Sequence, residues 1–329
     1  QVSTVIEERL NTYVEIRAPG LVNDGKEIRH WSERDGWGHF YLYDETGKLK
    51  NQITSGAFHC DSIVGIDEKR RVLYFSANGK EMVTTEKKSG ITMEKEDPYY
   101  LHLYKINFDG TGLMLLNEGN YNNSFNMDDN ELYFVNTFSR VNTIPESVLM
   151  DNNGKTILKL ETVDFTRILE TGYKFPETFK VKADDGITDL FGVMYKPFDF
   201  DPNKKYPLIE YVYPGPQTES VNKSWGRSMD RIDRLAQLGF IVVTVGNRGG
   251  SPGRSKWYHN YGYGDLRDYG LADKKTAAEQ LASRFSFIDI NRVGIHGHSG
   301  GGFMSTAAML VYPDFFKVAV SNAGNHDNT

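Results

Sequence analysis

The sequence predicts an all-β first half followed by an α/β second half, and three observations support this division. Residues 1–171 contain short β-rich runs separated by Asp, Asn and Gly turns, with almost no helical periodicity. Residues 172–329 alternate apolar strands with helical patterns, which indicates a mostly parallel sheet covered by helices. A Gly-rich turn at 297–301 joins one of these strands to a helix. We therefore expect two domains, with the boundary between residues 171 and 172.

The composition is that of a globular protein. The chain has 329 residues, which suggests about two domains. Hydrophobic residues make up 39% and charged residues 25%, and the aromatic share of 13% favours β-structure. The net charge is -6 without a basic block, so nothing indicates nucleic acid or an anionic membrane as a partner. No apolar run approaches the roughly 18 residues of a membrane helix.

The residues give no indication of a metal or another cofactor. Cys60 is the single cysteine, which excludes an internal disulfide and a cysteine-based zinc site. His30 and His39 flank an aromatic stretch, and a hairpin whose rings pack between sheets explains them better than metal ligation. Residues 1–5 contain neither a Met nor a signal peptide, so we expect the chain to begin inside a longer one.

Two kinds of hairpin alternate through the first half. Two hairpins in about 40–50 residues are typical of the four-stranded blade of a β-propeller, and an all-β sandwich is the alternative. About four blades fit before residue 171, together with a polar insert around 86–98, so we expect an incomplete ring. The turns lie at 44–47, 109–112 and 151–154 for the kind that accepts a positive φ, and at 67–69 and 128–130 for the other kind.

The second half opens with an antiparallel pair and continues with strands that alternate with helices. The run 240–245 is apolar throughout, as expected of a strand buried on both faces. Alternation of this kind predicts a doubly wound, mostly parallel sheet. The predicted strands are 178–181, 190–195, 206–213, 240–245, 293–295 and 316–320, and the predicted helices are 229–238, 265–284 and one that follows the Gly-rich turn.

The Gly-rich turn, Gly297-His298-Ser299-Gly300-Gly301, matches the G-x-S-x-G nucleophile elbow, in which a strained strand-to-helix turn exposes a Ser hydroxyl. In an α/β sheet the elbow predicts the α/β-hydrolase fold, here in part. Ser299 would be the nucleophile that attacks a carbonyl and forms an acyl-enzyme. The backbone N–H of Gly300 would stabilise the oxyanion. A Gly-rich loop with an ordinary Ser is the alternative.

A second oxyanion donor is expected from a loop after an earlier strand. Tyr213 ends the run 206–213 and precedes a Pro-Gly-Pro turn, so its hydroxyl is a candidate. The alternative is a strand-end aromatic ring that packs under the elbow, and the spacing alone leaves both open.

At these motifs the chain resembles the prolyl oligopeptidase family. The run Lys205–Pro216, the loop Gly246–Gly250 and the elbow have that family's order and spacing. Residues 32–43 also resemble a propeller blade of bacterial members. The resemblance covers essentially the whole chain and is greatest to the dipeptidyl peptidase IV branch.

The resemblance implies a β-propeller packed on an α/β-hydrolase domain. It implies a serine peptidase for short peptides, which often cleaves after proline or alanine near the amino terminus. Tyr213 would be the oxyanion tyrosine, and the stretch around Asn325 would help to line the substrate pocket. By analogy, the protein would be periplasmic or secreted and would be able to form a homodimer.

Three departures from the family's pattern bear on function. Gly300 stands where dipeptidyl peptidase IV proteins carry an aromatic residue that walls the pocket, which puts a proline preference in doubt. The paired glutamates that hold a substrate's amino terminus are expected before residue 1. The triad Asp and His follow the Ser in α/β-hydrolases and are expected after Thr329, so these 329 residues alone are expected to be inactive.

Nearby acidic and His residues do not replace the missing pair. His326 and Asp327 are adjacent and in the wrong order, and Asp265, Asp268 and Asp273 precede the Ser and are interpreted as charges at a helix N-terminus. Two other functions stay open. One is an esterase or lipase, for which the propeller half has no use. The other is a non-catalytic propeller-based binding protein, against which the intact elbow argues.

Overall fold

The computed structural model describes residues 4–87, 90–214, 218–226 and 231–326. Contacts divide the chain into two compact units. The first comprises Gln1–Ser139, Pro145–Val163 and Gly253–Trp257, and the second comprises Arg140–Ile144, Asp164–Pro252 and Tyr258–Thr329.

The first part of the chain forms β-strands that pair with their neighbours in sequence. Their bounds are β1 (Gly20–Val22), β2 (Glu27–Ser32), β3 (His39–Asp44), β4 (Leu49–Gln52), β5 (His59–Asp67), β6 (Val72–Asn78), β7 (Met82–Lys87), β8 (Gly90–Lys95), β9 (His102–Asn107), β10 (Met114–Leu115), β11 (Asn122–Met127), β12 (Tyr133–Arg140), β13 (Thr143–Asp151) and β14 (Thr156–Thr162). They make three four-stranded sheets, ordered β1-β2-β3-β4, β10-β9-β6-β5 and β11-β12-β13-β14, and β7 and β8 form a separate hairpin.

The predicted hairpins of the first half are confirmed, and an Asp side chain closes each turn of the first kind. Asp44 Oδ1 accepts hydrogen bonds from the backbone N–H of Thr46 and of Lys48, both at 3.0 Å. Asp109 and Asp151 hold their turns in the same way. The Gly that follows adopts a positive φ, 86° at Gly47, which explains why Gly ends these turns.

The described residues contain three four-stranded sheets, and the presence of about four blades stays a prediction. Residues 4–19 form no strand. The predicted polar insert overlaps β7 and β8, which pair with each other as a separate two-stranded sheet. These two strands come between β6 and β9 in the sequence, whereas β6 and β9 pair directly with each other in the second sheet.

The segment Asp164–Pro252 belongs to the second unit and Gly253–Trp257 to the first, while the expected boundary between residues 171 and 172 stays a prediction. The Phe165 ring packs within the second unit. Its ring centroid lies 5.5 Å from that of Tyr173, and 5.2 Å from those of Phe175 and Trp225. This aromatic cluster is spread over 60 residues of sequence, so periodicity could not reveal it.

The second unit contains one six-stranded sheet. Its strands are β15 (Glu177–Lys182), β16 (Asp189–Tyr195), β17 (Tyr206–Val212), β18 (Ile241–Val245), β19 (Ile288–His298) and β20 (Phe316–Asn322). The order is β15-β16-β18-β17-β19-β20. The first three strands pair antiparallel and the last four pair parallel, as the sequence predicted.

Helices α2, α4 and α5 pack on this sheet. The bounds of the helices are α1 (Thr166–Glu170), α2 (Arg231–Ala236), α3 (Lys256–His259), α4 (Leu271–Arg284) and α5 (Gly300–Val311). One face packs Val243 and Ile295 with residues of α4 and α5. The other face packs Val242 and Tyr211 with Ala236 of α2. In the described part of the chain, no helix has the length and apolar character that crossing a membrane requires.

Two predicted helices are shorter than expected. The helix predicted over 229–238 is observed as α2, and residues 229 and 230 lie outside the described residues. The helix predicted from 265 begins at Leu271, because the preceding residues form turns in which Leu271 N donates to Asp268 O at 3.0 Å. Asp265 and Asp268 therefore precede α4, and only Asp273 lies in its first turn.

Candidate active site

Ser299 stands at the apex of the turn between β19 and α5. Its backbone has φ 54° and ψ −117°, a left-handed conformation that is strained for a residue with a side chain. Its N–H donates to the Asn322 carbonyl at 2.8 Å, and its own carbonyl accepts from Phe303 N at 2.9 Å. The surrounding strand and helix therefore hold the strained residue in place, as a nucleophile elbow requires.

The glycines of the elbow are required by close backbone contacts. A Cβ on Gly297 or Gly301 would overlap the Val212 carbonyl oxygen at the end of β17. A Cβ on Gly302 would stand 2.6 Å from the Asn322 carbonyl oxygen. Sequence reasoning identified Gly297 and Gly301 but missed Gly302, although the run of three glycines contained the signal.

Gly300 is the first residue of α5. The N–H groups of a helix's first turn have no intrahelical acceptor and lie at the positive end of the helix dipole. The Gly300 N–H directly follows the Ser299 apex. It is therefore available to an anion that forms beside the Ser299 hydroxyl.

Tyr213 comes directly after β17 and is half-buried. Val212 pairs with Gly297 in parallel register, so Tyr213 and Ser299 both lie just past the carboxyl ends of neighbouring strands. The Tyr213 Cα is 3.5 Å from the position that a Gly301 Cβ would occupy. The fold thus brings the Tyr213 backbone against the first turn of α5.

Asn325 and His326 follow β20 and are exposed. The His326 Nε2 lies 3.2 Å from Ser321 Oγ and 3.5 Å from Thr306 Oγ1. These contacts attach His326 to β20 and α5 and not to Ser299. Asp327 lies outside the described residues.

The two His residues considered as metal ligands have other partners. His30 Nε2 lies 3.0 Å from Glu8 Oε2. His39 is buried and its ring nitrogens bond to Thr54 Oγ1 at 3.1 Å and to the Gly56 carbonyl at 2.9 Å. Across the described residues, no three His, Cys, Asp or Glu side chains are grouped to hold a metal.

The loop Gly246–Gly250 is fixed by a buried ion pair that sequence reasoning missed. The Arg248 guanidinium bonds to the fully buried Asp273 carboxylate at 2.7 Å, and Arg248 N donates to the same carboxylate at 2.8 Å. Burial alone would lower the pKa of Arg248, but the Asp273 hydrogen bonds and charge raise it. Asp273 is therefore a structural partner of Arg248 as well as a first-turn charge. The sequence feature that could have indicated this ion pair is a single Arg within a Gly-rich loop.

A second buried pair lies within the sheet. Glu210 of β17 is fully buried, and its carboxylate oxygens have no hydrogen-bond partner among the described residues. Burial raises the pKa of Glu210 to about 8, against the opposing effect of Lys274. Lys274 of α4 is also buried, which lowers its pKa, and its Nζ donates to the Val245 carbonyl. An acidic residue in the middle of an apolar strand was the sequence signal.

Two family models match this chain. The model described as prolyl oligopeptidase family matches residues 226–329, which include the elbow. The model described as dipeptidyl peptidase IV N-terminal region matches residues 1–145. Together they confirm the predicted combination of a propeller portion with part of an α/β-hydrolase domain.

Curated relatives and solved structures agree. Human dipeptidyl peptidase 8 is 31% identical over 284 residues, which is 82% of this chain and 30% of the relative. Dipeptidyl peptidase 4 of Trichophyton equinum is 27% identical and covers 98% of this chain. A putative dipeptidyl aminopeptidase IV from Bacteroides ovatus superposes with a TM-score of 0.79 at 27% identity, over 96% of this chain and 45% of its own. Porphyromonas gingivalis dipeptidyl peptidase 4, at 24% identity and a TM-score of 0.80, has the same fold over 97% of this chain and 43% of its own.

The chain spans 30% of the length of human dipeptidyl peptidase 8 and 41% of that of the Trichophyton protein. The two family-model matches include the strained Ser299 turn and the first two four-stranded sheets, and Tyr213 lies between the two matched ranges. On these grounds the chain belongs to the prolyl oligopeptidase family, in its dipeptidyl peptidase IV-like branch.

Proposed function

We propose that this chain supplies the nucleophile and the oxyanion site of a serine peptidase for short peptides, of the dipeptidyl peptidase type. The observation that carries the proposal is Ser299 itself, a non-glycine residue with φ 54° at the carboxyl end of a parallel strand and the start of a helix. A structural loop has no need of such strain, whereas a nucleophile elbow uses it to expose the hydroxyl.

The proposed reaction proceeds through an acyl-enzyme. The Ser299 Oγ attacks the scissile carbonyl carbon while its proton passes to a base, and the carbonyl oxygen becomes an oxyanion. The Gly300 N–H and the Tyr213 hydroxyl donate hydrogen bonds to that oxyanion. The intermediate then collapses, the C–N bond breaks, and the amine leaves with the proton from the base. Water hydrolyses the remaining ester and restores the Ser299 hydroxyl.

We propose that the base lies outside the described residues. His326, which follows β20, is in contact with Ser321, with its Nε2 at 3.2 Å from the Ser321 Oγ. We therefore propose that residues 1–329 by themselves are inactive, and that a His and an Asp in the family's order complete the site.

The substrate class is supported by the relatives, whose names describe dipeptidyl peptidases. Asn325, exposed after β20, is proposed to help line the substrate pocket. A preference for proline is not part of the proposal, because Gly300 has no side chain to wall that pocket. Homodimer formation and a periplasmic or secreted location stay predictions.

Covalent labelling with a fluorophosphonate tests this function, and it is done on the full-length protein as it is made in the cell. We expect a fluorophosphonate to label Ser299, and Ser299→Ala to abolish both labelling and hydrolysis of dipeptide anilides. Ser283→Ala, which removes an exposed hydroxyl from α4, is the matched control and should change neither. Absence of labelling would overturn the proposal. Labelling with hydrolysis of short acyl esters but not of anilides would favour an esterase instead.

A further inference from the structure

We propose that Glu219 is a positioning residue that holds the loop carrying Tyr213 against the Gly246–Gly250 loop. The inference rests on the proposed function, because Tyr213 acts there as an oxyanion donor. Glu219 would act through Tyr213 without touching the substrate.

The Glu219 carboxylate is bound from two directions. Its Oε1 accepts a hydrogen bond from the Tyr258 hydroxyl at 2.5 Å and from the backbone N–H of Asn247 at 3.2 Å. Both donors therefore converge on one oxygen of the Glu219 side chain. The side chain is therefore attached to a strand-end loop and to a buried Tyr, both 28 or more residues away.

The glycines of the Gly246–Gly250 loop provide the space that Glu219 occupies. A Cβ on Gly250 would overlap the Glu219 carboxylate, and a Cβ on Gly246 would stand 3.0 Å from both of its oxygens. Neither glycine has a positive φ. Their lack of a side chain is thus explained by close approach of Glu219 and not by backbone conformation.

The loop that receives Glu219 is itself rigidly held. Arg248 is bonded to the buried Asp273 through its backbone N–H and its guanidinium. Gly249 N donates to the Tyr258 carbonyl at 2.7 Å, so Tyr258 binds both the loop and Glu219. Glu219 is therefore hydrogen-bonded to a loop that directly follows β18 and is itself bonded to α4. These bonds restrict the movement of the segment around Glu219.

Tyr213 lies between two anchors. On its amino side, Val212 is paired with Gly297 of the elbow strand. On its carboxyl side, Glu219 follows six residues later and is held as described. Six residues reach at most about 21 Å, so a fixed Glu219 limits how far Tyr213 can move from it. Loss of the Glu219 anchor would release one side and let the Tyr213 hydroxyl leave the position of the oxyanion.

The test is to measure the steady-state kinetics of the Glu219→Ala variant, using the full-length protein as it is made in the cell. Removal of one oxyanion donor costs on the order of 10²–10³ in kcat, and we expect misplacement of Tyr213 to cost about 10- to 100-fold, with KM changed less than threefold. Glu219→Gln keeps an acceptor oxygen for both donors and should restore kcat to within about fivefold of the wild type. Glu279→Ala, which removes an ion-paired Glu from α4, is the matched control and should leave kcat unchanged.

A double-mutant cycle separates positioning from a structural role. In a Tyr213→Phe background, Glu219→Ala should lower kcat by less than threefold, because the hydroxyl that it positions is already gone. Gly250→Ala should lower kcat in the wild type and add nothing in the Glu219→Ala background. Equal losses in both backgrounds, or a fall in melting temperature without a fall in kcat, would overturn the inference. If wild-type Ser299 is not labelled, the proposed function fails; if Ser299 is labelled and Glu219→Ala is as active as wild type, only this inference fails.

Discussion

At the scale of single residues, Glu210 is an ionisable group for which the described part of the chain provides no hydrogen bond. It lies on the α4-facing side of β17, between Leu208 and Val212, and is fully buried. An isolated buried carboxylate is costly, so the group keeps its proton instead. The rise of its pKa to about 8 is the result of that burial. The protonated form is therefore the one compatible with the folded sheet at neutral pH.

This residue should make stability depend on pH. Below its ordinary pKa of 4.5 the carboxyl is protonated in both the folded and the unfolded chain. Between there and about 8 only the folded chain keeps the proton, so the free energy of unfolding falls as the pH rises. Lys274 has the opposite sign, since its lowered pKa makes its share of stability increase with pH.

Glu210→Gln isolates the carboxyl. We expect its melting temperature to fall less than that of the wild type between pH 5 and 8, and urea titrations at several pH values would measure the difference. Glu279→Gln changes an exposed carboxyl and serves as the control. Parallel pH profiles for wild type and Glu210→Gln would contradict the assignment.

At the scale of elements, the site is made by the convergence of β17, β19 and α5. The Val212 carbonyl at the end of β17 closely approaches both Gly297 and Gly301, so the strand end and the helix start are in backbone contact. This contact places the residue after β17 beside the residue after β19. Any side chain at Gly301 must separate the two elements.

Gly301→Ala should therefore disturb the site and the fold together. Because the obstacle is a strand carbonyl and not a flexible side chain, we expect a loss of about 1–3 kcal/mol in the free energy of unfolding and a rate of fluorophosphonate labelling at least tenfold lower. Gly226→Ala, whose Cβ would stand 3.2 Å from the Asn222 side chain and near no other described atom, should cost less than about 0.5 kcal/mol. Equal labelling of the two variants would show that the close approach is not needed.

At the scale of the whole molecule, the chain holds two units of different construction. Antiparallel sheets, built mostly from short hairpins, make the first, and a mixed sheet with helices on both faces makes the second. The proposed nucleophile Ser299 and its proposed oxyanion donors all belong to the second unit. The base is proposed to lie outside the described residues.

We therefore expect residues 1–329 alone to be less active than the full-length protein that the cell makes. A serine enzyme without its base retains only about 10³–10⁴-fold rate enhancement over water. We expect dipeptide-anilide hydrolysis by residues 1–329 alone to fall at or below that level, while the cellular protein turns over normally. Circular dichroism would verify that the shorter chain is folded. Full activity of folded residues 1–329 would contradict the proposed absence of a base.

Patterns that are local in sequence could be predicted. The Asp-Gly turns at Gly47, Gly112 and Gly154 identify hairpins because positive φ is a property of a few adjacent residues. The elbow is equally local, since strand, Ser299 and helix follow one another within some twenty residues. Tyr213 could be predicted as a candidate oxyanion donor because the end of its strand is recognisable from neighbouring residues alone.

The sequence by itself thus determined the hairpins, the alternation of strands and helices, and Ser299 as the candidate nucleophile. Only the tertiary structure decided the order of the strands in the sheets, the packing of the Phe165 ring, the buried pairs Arg248–Asp273 and Glu210–Lys274, and the contact of Glu219 with Asn247. The physical reason is that turn and strand preferences arise between residues close in sequence. Burial, ion pairing and close backbone approach depend on residues that only folding brings together.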